Sequence, residues 1–205
     1  METKLIIDTE TGGLDATKNG ICSITIKKHN TDEIANLFVK PNYALCFDPR
    51  ALEINGLDLG WLETNGFTEE KCVNIMIAYF QQYTIGWNKP IIIGHNIGFD
   101  LRFLDAMFQR AVGQSIYKYI NYHFRDTMCN QLFLKDCGIV DGKVNLKESY
   151  RHFFKEYFAD AHTAEGDVLA TERLYNAQVE LVKNKLKFVS SVNLQIGTGM
   201  ITKKW

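Results

Sequence analysis

The chain has 205 residues, 46% of them hydrophobic and 23% charged, which suits one domain, or one domain with an appendage, able to bury a real core. A net charge of −1 excludes a broad basic field, so a nucleic-acid partner would need a local site. Five scattered cysteines without CxxC spacing argue against a disulfide framework or zinc site; with no membrane-length apolar run and no leader-like start, the chain reads as cytoplasmic, without a membrane partner.

The first element is a strand over 5–8 that runs into Asp8-Thr9-Glu10 and then the Gly12-Gly13 turn. Alternate side chains of a strand share a face, so Asp8 and Glu10 project together. Two carboxylates about 4 Å apart repel by roughly 1–4 kcal/mol. A cation between them relieves that repulsion, and hard divalent ions take oxygen ligands; a solvated strand end is the other reading. Strands over 21–28 and 34–39 come next, the last stopped by Pro41, with short polar connections that suit antiparallel hairpins. Asp48 caps a short helix with Pro49 in its first position and Gly56 at its close. Trp61 lies just beyond, expected to be buried under that helix, with a wedge or stacking role as the alternative. Thr68 opens a longer helix with Glu69 and Glu70 in its first turn and Val73, Met76, Ile77 and Phe80 as its apolar stripe.

The wholly apolar run 90–94 reads as a central strand. A helix is expected over 100–112, a fifth strand over 122–126, and helices over 128–136, 146–158 and 164–183. Three antiparallel strands followed by alternating helices and strands imply an α/β fold, a mixed sheet flanked by helices.

Acidic and histidine residues recur at the ends of three separated elements. They are Asp8 and Glu10; the segment Gly94-His95-Asn96-Ile97-Gly98-Phe99-Asp100; and the segment Ala161-His162-Thr163-Ala164-Glu165-Gly166-Asp167. Taken alone, Asp100 and Asp167 fit ordinary charges at helix N-termini.

Taken in order, Asp-x-Glu, His-Asn-x-x-Phe-Asp and His-x-Ala-x-x-Asp resemble the DEDDh 3′–5′ exonucleases, the DnaQ-like proofreading branch of the ribonuclease-H-like superfamily. The resemblance spans roughly residues 4–183, with Asp8–Leu14 and Phe124-Arg125-Asp126-Thr127 agreeing as minor features. It implies a ribonuclease-H-like domain over 1–185, with a five-stranded sheet of three antiparallel strands and then two parallel ones. It implies two Mg²⁺ or Mn²⁺ ions, the first on Asp8, Glu10 and Asp167, the second on Asp8 and Asp100. His162 would be the general base, so that His162→Ala keeps metal affinity and loses roughly 10²–10⁴-fold in rate. Asp126 would be structural.

Substrate contacts are implied for Thr11 and Gly12, beside the terminal nucleotide, and for Asn55 in Asn55-Gly56-Leu57, where many relatives carry His-Gly-Ile. Asn96 either braces the turn that presents Asp100 or touches substrate, and Phe99 is either core or a support for base stacking. The implied partner is a single-stranded or frayed 3′ end, DNA before RNA, with a polymerase or repair complex as a further partner. The rival functions are an exoribonuclease and a subunit that binds nucleic acid without cleaving it. Residues 186–205 form a basic extension carrying Lys187, Lys203 and Lys204, which guides a strand, is solvated, or docks a larger assembly.

Overall fold

The central strand β1 (Lys4–Thr11) is flanked on one side by β2 (Ile21–Lys28) and then β3 (Ile34–Phe38), and on the other by β4 (Ile91–Gly94) and β5 (Arg125–Asp126). β1 pairs antiparallel with β2 and parallel with β4, β4 pairs parallel with β5, and β3 closes the opposite edge antiparallel to β2. This is the expected mixed sheet in the order β3-β2-β1-β4-β5. The chain is described from a computed structural model over residues 2–158 and 163–196.

Around the sheet lie α1 (Pro49–Asn55), α2 (Leu59–Asn65), α3 (Glu69–Gln82), α4 (Ile97–Val112), α5 (Thr127–Asp136), α6 (Leu146–Phe154) and α7 (Ala164–Ile196). β1 sends Leu5 and Ile7 to one face, where they join Val73, Met76 and Phe80 of α3 and Leu101, Leu104 and Phe108 of α4 in the main core. Full burial of each such side chain contributes about 1.5–3 kcal/mol. The other face carries a smaller cluster in which Ile6 and Ile93 meet Val168 and Tyr175 of α7. Among the described residues no helix is long and apolar enough to cross a membrane.

Local chemistry explains most helix ends. Asp48 accepts the amide of Arg50, Thr68 that of Lys71, and Gly56 closes α1 in the left-handed region at φ 64°. Several sequence expectations need correction. The helix expected from Asp100 begins at Ile97, because Asn96 turns left-handed at φ 59° and lets Ile97 drop into the core. The fifth strand is two residues long, since 121–123 is held as a turn by Asn121 donating to the Pro90 carbonyl and His123 to Asn121 Oδ1. The helix expected through 158 stops at Phe154, where Lys155 adopts φ 60° and donates to the Arg151 carbonyl. The last helix, expected to end at 183, continues to Ile196.

The helix α2 has no counterpart among the sequence expectations: Asp58 caps it by accepting the Trp61 amide, and only Leu62 of its residues is buried. Trp61 is consequently not under α1. It stands 46% exposed, edge-on to Phe38 with ring centroids 4.8 Å apart.

Candidate active site

The site is built at the end of β1 on the α7 face of the sheet. In the ladder Asp8 lies opposite Thr25 and Glu10 opposite Ser23, after which the register shifts between Glu10 and Thr11. Such a bulge bends a strand and re-aims the side chains beyond it, and it is common beside active sites. α7 begins over this point. Thr163 starts it by accepting the Gly166 amide on Oγ1 (3.1 Å) and the Asp167 amide on its carbonyl (2.9 Å). Ala164, Val168, Thr171 and Tyr175 form the buried stripe of α7, which sets Asp167 at the edge of the sheet contact. One carboxylate oxygen each from Asp8, Glu10 and Asp167 then lie within 4.8 Å of one another.

Asp100 arrives from the opposite face. It is 4% exposed in the first turn of α4, and its Oδ1 accepts both the Thr9 amide (2.9 Å) and the Thr9 hydroxyl (2.7 Å). Thr9 points away from Asp8 and Glu10 because of strand alternation, so it ties Asp100 to the strand that carries them.

Burial and mutual repulsion dominate the electrostatics of Asp8 and Glu10. Burial, then Asp100, Asp167 and Glu10, hold the Asp8 carboxyl well above the usual carboxylate range. Burial, followed by Asp167 and Asp100, pushes Glu10 up to about 8. Burial also raises Asp100 to about 7, against the two hydrogen bonds from Thr9 and with Asp126 adding to the rise. Among the described residues every influence on Asp8 and Glu10 raises them, so these acids lack a compensating cation there. A divalent ion would supply it, and an all-carboxylate donor set suits Mg²⁺ or Mn²⁺. The residues therefore fit the metal that the resemblance implies.

The other expected contacts fall in different places. Asn55, at the end of α1, lines a cleft of ≈ 1190 Å³ together with Glu10 and donates from Nδ2 to the Thr11 carbonyl at 3.1 Å. Thr11 is buried and donates its hydroxyl to the Gly13 carbonyl at 2.7 Å. Gly12 donates its amide to the Gly20 carbonyl (2.8 Å) and accepts from the Asp48 amide (2.7 Å). A Cβ on Gly12 would stand 2.4 Å from the Phe47 ring, so the glycine is required by that packing. Asn96 is exposed, and its amide goes to Asp126, which also accepts the amides of Met128 and Cys129 and so serves the scaffold. Phe99 is half-buried with its ring centroid 4.9 Å from that of Phe103. His95 bonds Thr127 through Nδ1, and burial lowers its pKa to about 4. His162 lies outside the described residues.

Sequence reasoning passes over two features. One is Thr9, hidden as the variable middle of Asp-x-Glu although strand alternation aims it at the α4 side. The other is the cleft floor, where Ser23, Thr25 and Lys27 share the face of Glu10 while Ile24 and Ile26 enter the core. Lys27, only 5% exposed, is held there by Glu172 at 2.8 Å. The alternation of polar and apolar residues along β2 is the signal that could have found it.

Known proteins share this arrangement of elements. A family model described as RNase_T, exonuclease, matches residues 5–175. Ribonuclease T of Blochmanniella pennsylvanica (strain BPEN) is 29% identical over 117 residues, which cover 52% of this chain and 54% of that protein. The chain thus spans about half the length of this curated relative. Among solved structures, the zinc-bound form of an E. coli exonuclease I complex with single-stranded DNA gives a TM-score of 0.73 at 18% identity, covering 92% of this chain and 42% of that one. E. coli exonuclease I in complex with a dT13 oligonucleotide gives 0.71 at 20%, covering 93% and 43%. Exonuclease I from Methylocaldum szegediense gives 0.71 at 21%, again covering 93% and 43%. At these identities the solved structures establish a common fold.

Proposed function

This chain belongs to the RNase_T exonuclease family, and we propose that it removes nucleotides from the 3′ ends of single or frayed strands as nucleoside 5′-monophosphates. The observation that carries the proposal is the convergence of Asp8, Glu10 and Asp167 within 4.8 Å, with buried Asp100 joined to the same strand through Thr9. A protein that only bound nucleic acid would gain nothing from holding mutually repelling acids together.

In this reading Asp8, Glu10 and Asp167 hold one Mg²⁺ or Mn²⁺, and Asp8 and Asp100 hold a second. When bound, such ions polarise a phosphoryl oxygen and lower the pKa of water. The protein's own contribution is to keep the four carboxylates in place against their repulsion. Thr9 occupies Oδ1 of Asp100 and leaves its other oxygen for the ion. Asn55 braces the end of β1 from across the cleft, where it can also face a terminal nucleotide. His162, directly before the Thr163 that starts α7, is the proposed general base that takes the proton of the attacking water. The exonuclease domain is proposed to occupy 1–185, with α7 carrying the chain from it into the basic extension.

DNA is the preferred strand in this proposal, supported by a fold shared with exonuclease I, which has been solved with dT13 and dA16 oligonucleotides. A second reading, exoribonuclease, is favoured by the relative named ribonuclease T. The test is to incubate the protein with 3′- and 5′-labelled DNA and RNA of one sequence in Mg²⁺, Mn²⁺ or EDTA. Immediate metal-dependent loss of the 3′ label, with a descending ladder from the 5′ label, is expected, faster on DNA. Faster loss on RNA would select the second reading, and no metal-dependent release from either strand would overturn both.

A further inference from the structure

The cleft that holds Glu10 has two rims of unlike charge. Along the rim made by α7 and the β2–β3 turn, Asp32 and Glu165 are exposed, Lys27 is already engaged by Glu172, and Arg173 is paired with Glu156 at 3.5 Å. That rim repels a phosphate backbone. The opposite rim is α6 and the residues after it. Residues 143–157 contain Lys143, Lys147, Arg151 and Lys155 against the acids Glu148 and Glu156, a net of +4 − 2 = +2, whereas the whole chain carries −1. All four cations are exposed. Arg151 bonds Glu148 at 2.6 Å, but a surface ion pair of this kind contributes little and can exchange for phosphate.

A second observation ties this patch to the site. Lys147 Nζ and Arg151 Cζ lie 4.9 and 5.7 Å from the centroid of the Tyr157 ring. Tyr157 is 55% exposed and lines the same cleft as Glu10. On its outer side α6 borders a hollow of ≈ 330 Å³ lined by Lys143, Arg151, His152 and Lys155 together with the acids Asp141 and Glu148. Positive charge therefore runs along α6 and ends on an accessible aromatic ring at the mouth of the site. Cations beside a stacking ring are the two elements that hold single strands without regard to sequence.

We propose that the outer face of α6, with Tyr157 at its cleft end, docks the single strand upstream of the terminal nucleotide, phosphates on Lys147, Arg151 and Lys155 and a base on Tyr157. The proposal rests on the exonuclease reading for the direction of the strand. It explains how a chain of net charge −1 holds a polyanion: the approach is made along a local run of cations on α6.

The test is the salt dependence of binding of a fluorescent single strand of about 15 nucleotides, a length within the span that single-strand grooves hold, read by anisotropy in EDTA so that nothing is cleaved. Each phosphate contact to a single strand adds about 0.7 to the slope of log K against log salt. Lys147→Ala with Arg151→Ala should flatten the slope by about 1.4, on the same count. Lys89→Ala with Lys118→Ala, the same loss of charge at the far end of β4, should leave it as in the wild type. Tyr157→Ala should weaken binding about tenfold with the slope kept, as for loss of one stacking contact. An unaltered slope in the α6 pair, or an equal change in the control pair, would overturn the docking surface while leaving the exonuclease reading intact. If instead the slope changes as expected but the labelled strands are never cleaved, the docking surface stands and the catalytic reading falls.

Discussion

The two faces of the sheet share β1 and use it in opposite ways. On the α3–α4 face, Leu5 and Ile7 enter a continuous apolar core with Phe80, Leu104 and Phe108. On the α7 face, Ile6 makes the one apolar contact of that strand among the described residues, and Asp8 and Glu10 lead on from it into a cleft floored by Ser23, Thr25 and Lys27. The first face supplies stability that the second gives up. Burial lowers free energy where nothing needs solvent, and raises it where several carboxylates sit side by side. Asp100 connects the two: its helix belongs to the core face, yet Thr9 brings its carboxyl to the acids on the other.

Substitutions on each face separate their contributions to stability and turnover. On the core face, Phe108→Ala should destabilise by about 3–5 kcal/mol, seen as equal losses in denaturant midpoint with Mg²⁺ and with EDTA. A loss confined to one of those conditions would mean that the faces are not energetically separate. On the site face, Asp8→Asn should remove about 10²–10³-fold in turnover. It should also raise the Tm of the metal-free protein, because it deletes a carboxyl whose ionisation burial and three neighbouring acids oppose. A fall in metal-free Tm would contradict the electrostatic account.

At the junction, Thr9→Val keeps the strand and deletes one of two bonds to Asp100. Calorimetric titration should find metal affinity lower by about tenfold, the smaller end of what loss of an outer hydrogen-bond partner does. Thr9→Ser should restore it.

The smallest effect is a pH dependence of metal-free stability. Glu10 binds its proton at about 8 in the folded chain and near 4.5 in the unfolded one. Between those values the folded state holds more protons, so stability falls as pH rises through that window and is greatest below it. Melting curves in EDTA should show Tm increasing by a few degrees from about pH 8 to about pH 5, and saturating Mg²⁺ should flatten the dependence.

Much of this is legible locally. Asp48, Thr68 and Gly56 mark helix ends because caps act over three or four residues. Asp8 and Glu10 can be paired because alternation in a strand needs no tertiary information. The helix α2 escapes a sequence reading because Gly60 and Gly66 look like turn glycines, although Asp58 is a valid cap. Trp61 misleads since its size argues for burial, whereas only Leu62 of that helix is buried and Trp61 lies edge-on to Phe38 with 46% of its surface exposed.

By itself the sequence determined which acids exist, which side of β1 each occupies, and where most helices begin, all consequences of backbone geometry within a few residues. The resemblance implied that Asp167 meets Asp8 and Glu10, and the packing of α7 on the sheet brings them together; only the tertiary structure decided that Thr9 reaches across 91 positions to Asp100, that Lys27 is taken by Glu172, and that α6 sets its cations beside the cleft. Those contacts join residues far apart along the chain. They depend on the packing of whole elements, and no local rule contains it.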